Sequence, residues 1–232
     1  MPEIADAYRA TRGRVRALVE AAPPGSADLP VPATPAWAVR DVVAHLAGVA
    51  TDLVEGRVDG IATDEWTAAQ VERGHGESIA QMLDRWDEHG AAVDDMADAL
   101  GGGGGQLVAD ATTHEHDLRH ALGAALGVPD DPGARETDAV AIGFRFMCGA
   151  VRARRNEVGA PPLLVSHDAG EKLLGAGEPG AWLTITRFEL LRAATGRRTV
   201  DELLAYEWAG DARPELLVYT AVFTPRTAPL GE

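Results

Sequence analysis

The chain has 232 residues, 36 acidic against 21 basic, and a formal net charge of −15, a balance that argues against a nucleic-acid binder needing a basic face. A single cysteine, Cys148, excludes an intrachain disulfide and makes a reducing cytoplasm the expected compartment. No apolar run approaches the ~18 residues of a membrane span, and Met1-Pro2-Glu3 opens no basic-then-apolar leader, so neither a membrane nor a secretory role is expected.

The first two-thirds is patterned as helix. Ile4, Ala7, Tyr8, Val15, Leu18 and Val19 recur at helical spacing over residues 4–21, and Pro23-Pro24 ends the run. After a Pro-rich loop reaching Trp37, a second helix is predicted over residues 39–55, with Gly56 as its stop. Residues 56–77 have weak periodicity and predict a loop with a short turn near Trp66. A third helix is predicted over 78–100, capped by Ser78, with Ile79, Met82, Leu83 and Trp86 on one face. The five glycines 101–105 predict a flexible connection. A fourth helix follows over 107–126, closed by residues 127–132, and a fifth over 136–158.

Beyond residues 159–162 the texture changes. Residues 163–166, 171–174 and 182–186 are short, separated by Gly and Pro, and predict strands. Residues 188–195 and 200–208 return to helix, and 214–223 predict a last strand or helix. The expected architecture is mostly α: an up-down helical bundle over 1–160, then a small α+β domain over 161–232.

Four of the seven histidines fall in two of these helices. The second holds His45; the fourth holds Asp110, His114, His116 and His120. At about 100° per residue, Leu107, Ala111, Leu118, Ala121, Leu122 and Ala125 define the apolar stripe of the fourth helix. Asp110, His114 and Asp117 lie on one edge of that stripe, whereas His116 and His120 point nearly opposite, beside Glu115 and Arg119, and are expected to face solvent. His45 flanks the stripe formed by Val42, Leu46, Val49 and Leu53. Two imidazoles and a carboxylate can hold a borderline-soft divalent ion and leave positions open. His45, Asp110 and His114 are therefore the candidate metal ligands. The periodicity fits a second reading equally: a hydrogen-bonded core histidine at 45 and a helix-terminal charge at 110.

Two strings bear a resemblance. Trp37-x-Val39-Arg40-Asp41-Val42-x-x-His45-Leu46-x-Gly48 and Asp110-x-x-x-His114-x-x-Asp117-Leu118-x-x-Ala121-x-Gly123 resemble the paired signatures of the DinB-like superfamily, in particular its mycothiol-dependent maleylpyruvate isomerase group. A later stretch, from Phe188 to Arg198, is similar to a segment of the small C-terminal part of those proteins. The resemblance implies a DinB-like four-helix bundle binding a divalent metal, zinc first and nickel second, through His45, Asp110 and His114. The isomerases of the group present Glu where this sequence has the shorter Asp110.

The resemblance further implies mycothiol, a low-molecular-weight thiol, as cofactor, and a small electrophilic alkene such as maleylpyruvate as substrate. The outcome would be cis-trans isomerisation or, if the thiol stays attached, S-transfer. The alternative is a non-enzymatic bundle binding a small molecule or a partner, its metal structural or vestigial. A monomer or homodimer is expected. Arg192, Arg197 and Arg198 are candidates to hold an anionic substrate, Arg192 and Arg198 foremost, against a reading as surface arginines. Gly175-Ala-Gly177-Glu-Pro-Gly180 imitates a dinucleotide loop but opens no helix, and its Pro argues against one. Cys148 sits on an apolar helix face and reads as a core thiol rather than a nucleophile.

Overall fold

The computed structural model describes residues 3–97, 99–126, 131–219 and 222–232. The chain divides into two compact units, Met1–Asp131 and Pro132–Glu232. The first holds α1 (Ile4–Glu20), α2 (Val39–Val54), α3 (Asp64–Gly74), α4 (Ile79–Ala97) and α5 (Gly102–Leu126). The second holds α6 (Asp138–Glu157), β1 (Leu163–His167), β2 (Gly170–Leu174), β3 (Ala181–Thr184), α7 (Arg187–Ala194), α8 (Val200–Leu204) and β4 (Glu207–Gly210). The protein is mostly helical with one small sheet. The change of texture near residue 160 marks the first strand, while α6, ahead of it, packs on α7 and β2 within the second unit.

In the first unit α1, α4, α2 and α5 form a ring in which each long helix touches two others. Helix α1 runs antiparallel to α4, since Arg9 reaches Asp94 and Arg16 reaches Asp84. It runs parallel to α5, with Ile4 beside Gly104 and Arg14 on Glu115. Helix α2 is parallel to α4: Arg40 bonds the Glu77 carbonyl and Thr51 meets Arg85 and His89. In chain order the four long helices thus run up, down, down, up. The expected simple alternation is broken by α3, which occupies the stretch expected to be loop. It lies antiparallel to α2, Gly74 against Ala44 and Gln70 against Gly48, and returns the chain so that α4 starts beside the start of α2.

Deep in this bundle Trp86 is fully buried, meets Tyr8 edge-on at 6.3 Å and donates to its hydroxyl at 2.8 Å. Gly90 leaves room for the Arg12 guanidinium, which pairs with Asp94 at 3.0 Å. The stop at Gly56 is as expected, with φ +71 just past the end of α2. The glycine run differs from expectation. Glycines 102–105 are the opening turn of α5, and only Gly101, at φ +54, makes the turn. Their smallness has a packing use: a Cβ on Gly104 would stand 2.6 Å from the Ala97 carbonyl oxygen and 3.1 Å from Ile4. The expected closure at 127–130 and the expected helical residue Asp98 lie outside the described residues.

In the second unit Thr137 caps α6 by accepting from the Val140 N–H. The sheet order is β2-β1-β3-β4, with β1 antiparallel to β2, parallel to β3, and β3 antiparallel to β4. The helix expected over 200–208 stops at Leu204, and Trp208 enters β4 opposite Leu183. Pairing to a strand 25 residues away leaves no local periodicity to read. Of the expected last element, residues 214–216 form a single 3-10 turn, and residues 220–221 lie outside the described residues. Cys148 is fully buried in α6, and burial pushes its thiol up to about 12. No described helix is long and apolar enough to cross a membrane.

Candidate metal centre

Each position of the first signature has a structural task. Asp41 accepts from the Ala38 N–H at 2.9 Å, closing the start of α2. Val39, Val42 and Leu46 are buried in the bundle, and Arg40 ties the helix to the segment leading into α4. One turn further, His45 projects inward and is 4% exposed. Gly48 is small because α3 crosses there: a Cβ would stand 2.6 Å from Gln70 Cβ.

Helix α5 supplies the rest. His45 Nε2 lies 3.3 Å from Asp110 Oδ2, and His114 Nε2 lies 3.7 Å from Asp110 Oδ1. One ligand atom from each of the three residues falls within 4.8 Å of the other two. The two imidazole rings meet edge-on at 5.1 Å. Two imidazole nitrogens and a carboxylate oxygen, gathered from facing helices, form a donor set that suits a divalent zinc-like ion. Asp110 is half-buried, which keeps one side of the cluster reachable.

The surrounding polar groups support that use. His45 Nδ1 donates to Gln70 Oε1 at 2.8 Å, and this bond leaves the Nε2 lone pair directed at Asp110 and His114. Gln70 is held by donating to Asp52 Oδ2 at 2.8 Å, and Asp52 is held by Arg57 and Arg73, each at 2.7 Å. On the other imidazole, Asp117 Oδ2 lies 3.1 Å from His114 Nδ1. Burial lowers the His114 pKa, with Asp117 and Asp110 opposing, so the ring favours the neutral form that binds metal. Trp37 lies against both rings, 5.2 Å from His45 and 5.7 Å from His114, and walls the cluster on one side.

All three expected ligands therefore come together. Gln70 and Asp52 were not expected at the site, because α3 itself was not; the one hint was Gly48 in the interior of α2. The expectation that His116 and His120 face solvent fails: His116 is buried and His120 half-buried. Glu115 beside them is buried too and binds Arg14 at 2.7 Å and Arg119 at 2.8 Å, so α5 is enclosed beyond its apolar stripe by polar side chains as well. Arg192 and Arg198 are not surface arginines: they are 0% and 5% exposed. Arg192 Nε donates to Glu232 at 3.0 Å, and Arg198 binds Glu189 at 2.8 Å and Glu232 at 3.0 Å. An incoming anion would have to displace a carboxylate from either guanidinium.

No curated protein matches the sequence at a significant level. Among solved structures, a mycothiol-dependent maleylpyruvate isomerase superposes with a TM-score of 0.50 at 13% identity, covering 85% of this chain and 90% of that one. A histidine-to-alanine mutant of a mycothiol-dependent maleylpyruvate isomerase gives 0.49 at 10% identity, over 84% and 90% of the two chains. The first likeness concerns the fold. At the level of sequence, residues 8–119 match the family model described as the mycothiol maleylpyruvate isomerase N-terminal domain, a span that includes His45, Asp110 and His114. The first unit therefore carries a mycothiol maleylpyruvate isomerase N-terminal domain.

Proposed function

We propose that the protein is a divalent-metal-dependent isomerase or S-transferase that uses mycothiol, of the maleylpyruvate isomerase kind, working in a reducing cytoplasm. The observation that carries the reading is the convergence of His45, Asp110 and His114, the His45 ring oriented through its other nitrogen by Gln70 and the His114 Nδ1 lying 3.1 Å from Asp117 Oδ2. Zinc suits the donor set, and nickel is the second choice. When bound, the metal would supply a positive centre that favours the thiolate of a small thiol, and the thiol would supply reversible addition to an activated alkene.

The chain's own residues prepare that chemistry. His45 and His114 present ring nitrogens on one side of Asp110, and the Gln70–Asp52 chain keeps the His45 ring from turning. Trp37 excludes water from the faces of both rings and leaves the half-buried Asp110 side for approach. No protein sulfur is suited to the addition, because burial holds Cys148 in its thiol form. The reactive sulfur must arrive with a cofactor.

The test is elemental analysis of purified protein, followed by assay with mycothiol and maleylpyruvate. Near-stoichiometric zinc or nickel is expected, lost in His45→Ala and His114→Ala. Equal metal content in wild type and both variants would refute the site. With metal present, consumption of one thiol per product identifies a transferase, and turnover without thiol loss an isomerase. Metal without turnover on a panel of electrophilic alkenes would refute the enzymatic reading and leave a binding module.

A further inference from the structure

The second unit carries a feature that the metal centre does not explain. A groove of about 570 Å³ runs along α6 on the face turned away from the buried Phe144, Met147, Cys148 and Val151. Its floor is made of small residues, Gly149, Ala150 and Ala153. At 100° per residue, Arg145 and Arg152 share one rim, and Arg154 stands across the floor on the other. Phe146 and Tyr219 add two half-buried aromatic walls, and Glu157 is the one carboxylate among the described lining residues.

The charge arrangement is the telling part. In a chain of net charge −15, arginines find carboxylates readily, and Arg9, Arg12, Arg14, Arg16, Arg57 and Arg73 each have one. Among the described residues, the side chains of Arg145, Arg152 and Arg154 make no hydrogen bond or ion pair, and the buried Nε of Arg154 has no acceptor. Three guanidiniums kept free of partners around an apolar floor form a site built for negative charge brought from outside. Its volume is that of a small-molecule pocket. The acidity of the rest of the chain disfavours a nucleic-acid strand there.

We propose that this groove binds a small organic anion carrying two or more carboxylate or phosphate groups. Its charged ends sit on the opposing arginine rims, and its carbon skeleton lies over Gly149 and Ala153 between Phe146 and Tyr219. This inference is independent of the metal reading.

Isothermal titration of the full chain with citrate and with inorganic pyrophosphate, at an ionic strength of about 0.15 M, tests it. Saturable binding is expected for wild type, weakened about tenfold or more by Arg145→Gln combined with Arg152→Gln, which removes one rim of charge-assisted contacts. Gly149→Leu is the sharper variant. A Cβ there meets nothing within 4 Å, so the change fills the floor while keeping every charge and the fold, which a thermal melt verifies. It should abolish binding. Preference for citrate identifies a carboxylate ligand, and preference for pyrophosphate a phosphorylated one. Absence of saturable binding with both probes, or wild-type affinity in Gly149→Leu, would overturn the proposal. Metal content is unchanged in all these variants, so this test and that of the metal centre fail separately.

Discussion

At the scale of single residues, the candidate centre is defined less by its three candidate ligands than by what holds them. His45 could rotate about its ring axis and point either nitrogen at Asp110; the 2.8 Å bond to Gln70 chooses Nε2. Replacing a partner of this type typically costs about 10- to 100-fold in metal affinity. Gln70→Ala is therefore expected to keep the metal stoichiometry at saturating zinc but to weaken zinc affinity by about that factor. Competition with a chromophoric chelator measures it, and an affinity equal to wild type would remove Gln70 from the site. The candidate ligands Asp110 and His114 were legible in the sequence because their i, i+4 spacing is a local property of one helix. Gln70 was not legible, because its role depends on a crossing between two helices and no spacing records it.

At the scale of elements, small residues decide where helices meet. Gly48 and Gly74 let α3 lie directly on α2, and Gly104 lets α5 close on the end of α4 and on Ile4. Gly103 has no such duty: an added Cβ would meet Leu100 Cβ at an ordinary 3.7 Å. Gly103→Ala should stabilise the protein by up to about 1 kcal/mol through helix propensity. Gly104→Ala should destabilise it by about 1–3 kcal/mol through overpacking against the Ala97 carbonyl. Chemical denaturation of the pair measures both. If both variants shift in the same direction, the glycine run acts by flexibility rather than by packing. A run of glycines reads locally as a linker, since each disfavours helix; here tertiary contact makes up that deficit over glycines 102–105.

At the scale of the whole molecule, ion pairs inside the units compensate part of the acidic excess. In the second unit Glu232 and Glu189 neutralise Arg192 and Arg198 in a largely buried cluster. Burial works to raise the pKa of each carboxylate, and the adjacent arginines overcome it, so both are held below the usual range. Their contribution to stability is complete above the unfolded value of about 4.3 and is lost as pH falls through the lower folded values. Glu232→Gln leaves a buried guanidinium short of a partner and should cost about 3–5 kcal/mol at neutral pH. Its stability should also fall less steeply than wild type below about pH 4. Thermal melts from neutral to acid pH read both effects, and curves that coincide at every pH would mean the cluster contributes nothing. Read alone, the amino-acid order settles the helical class, the placement of the candidate metal-site residues on two helices and the onset of strands, because each is written in short-range periodicity. Three features needed the folded chain: the return helix α3 that reverses the expected alternation, the burial of Glu115, Arg192 and Arg198, and the pairing of β4. All three depend on contacts between residues far apart in sequence, where burial and charge pairing outweigh local preference.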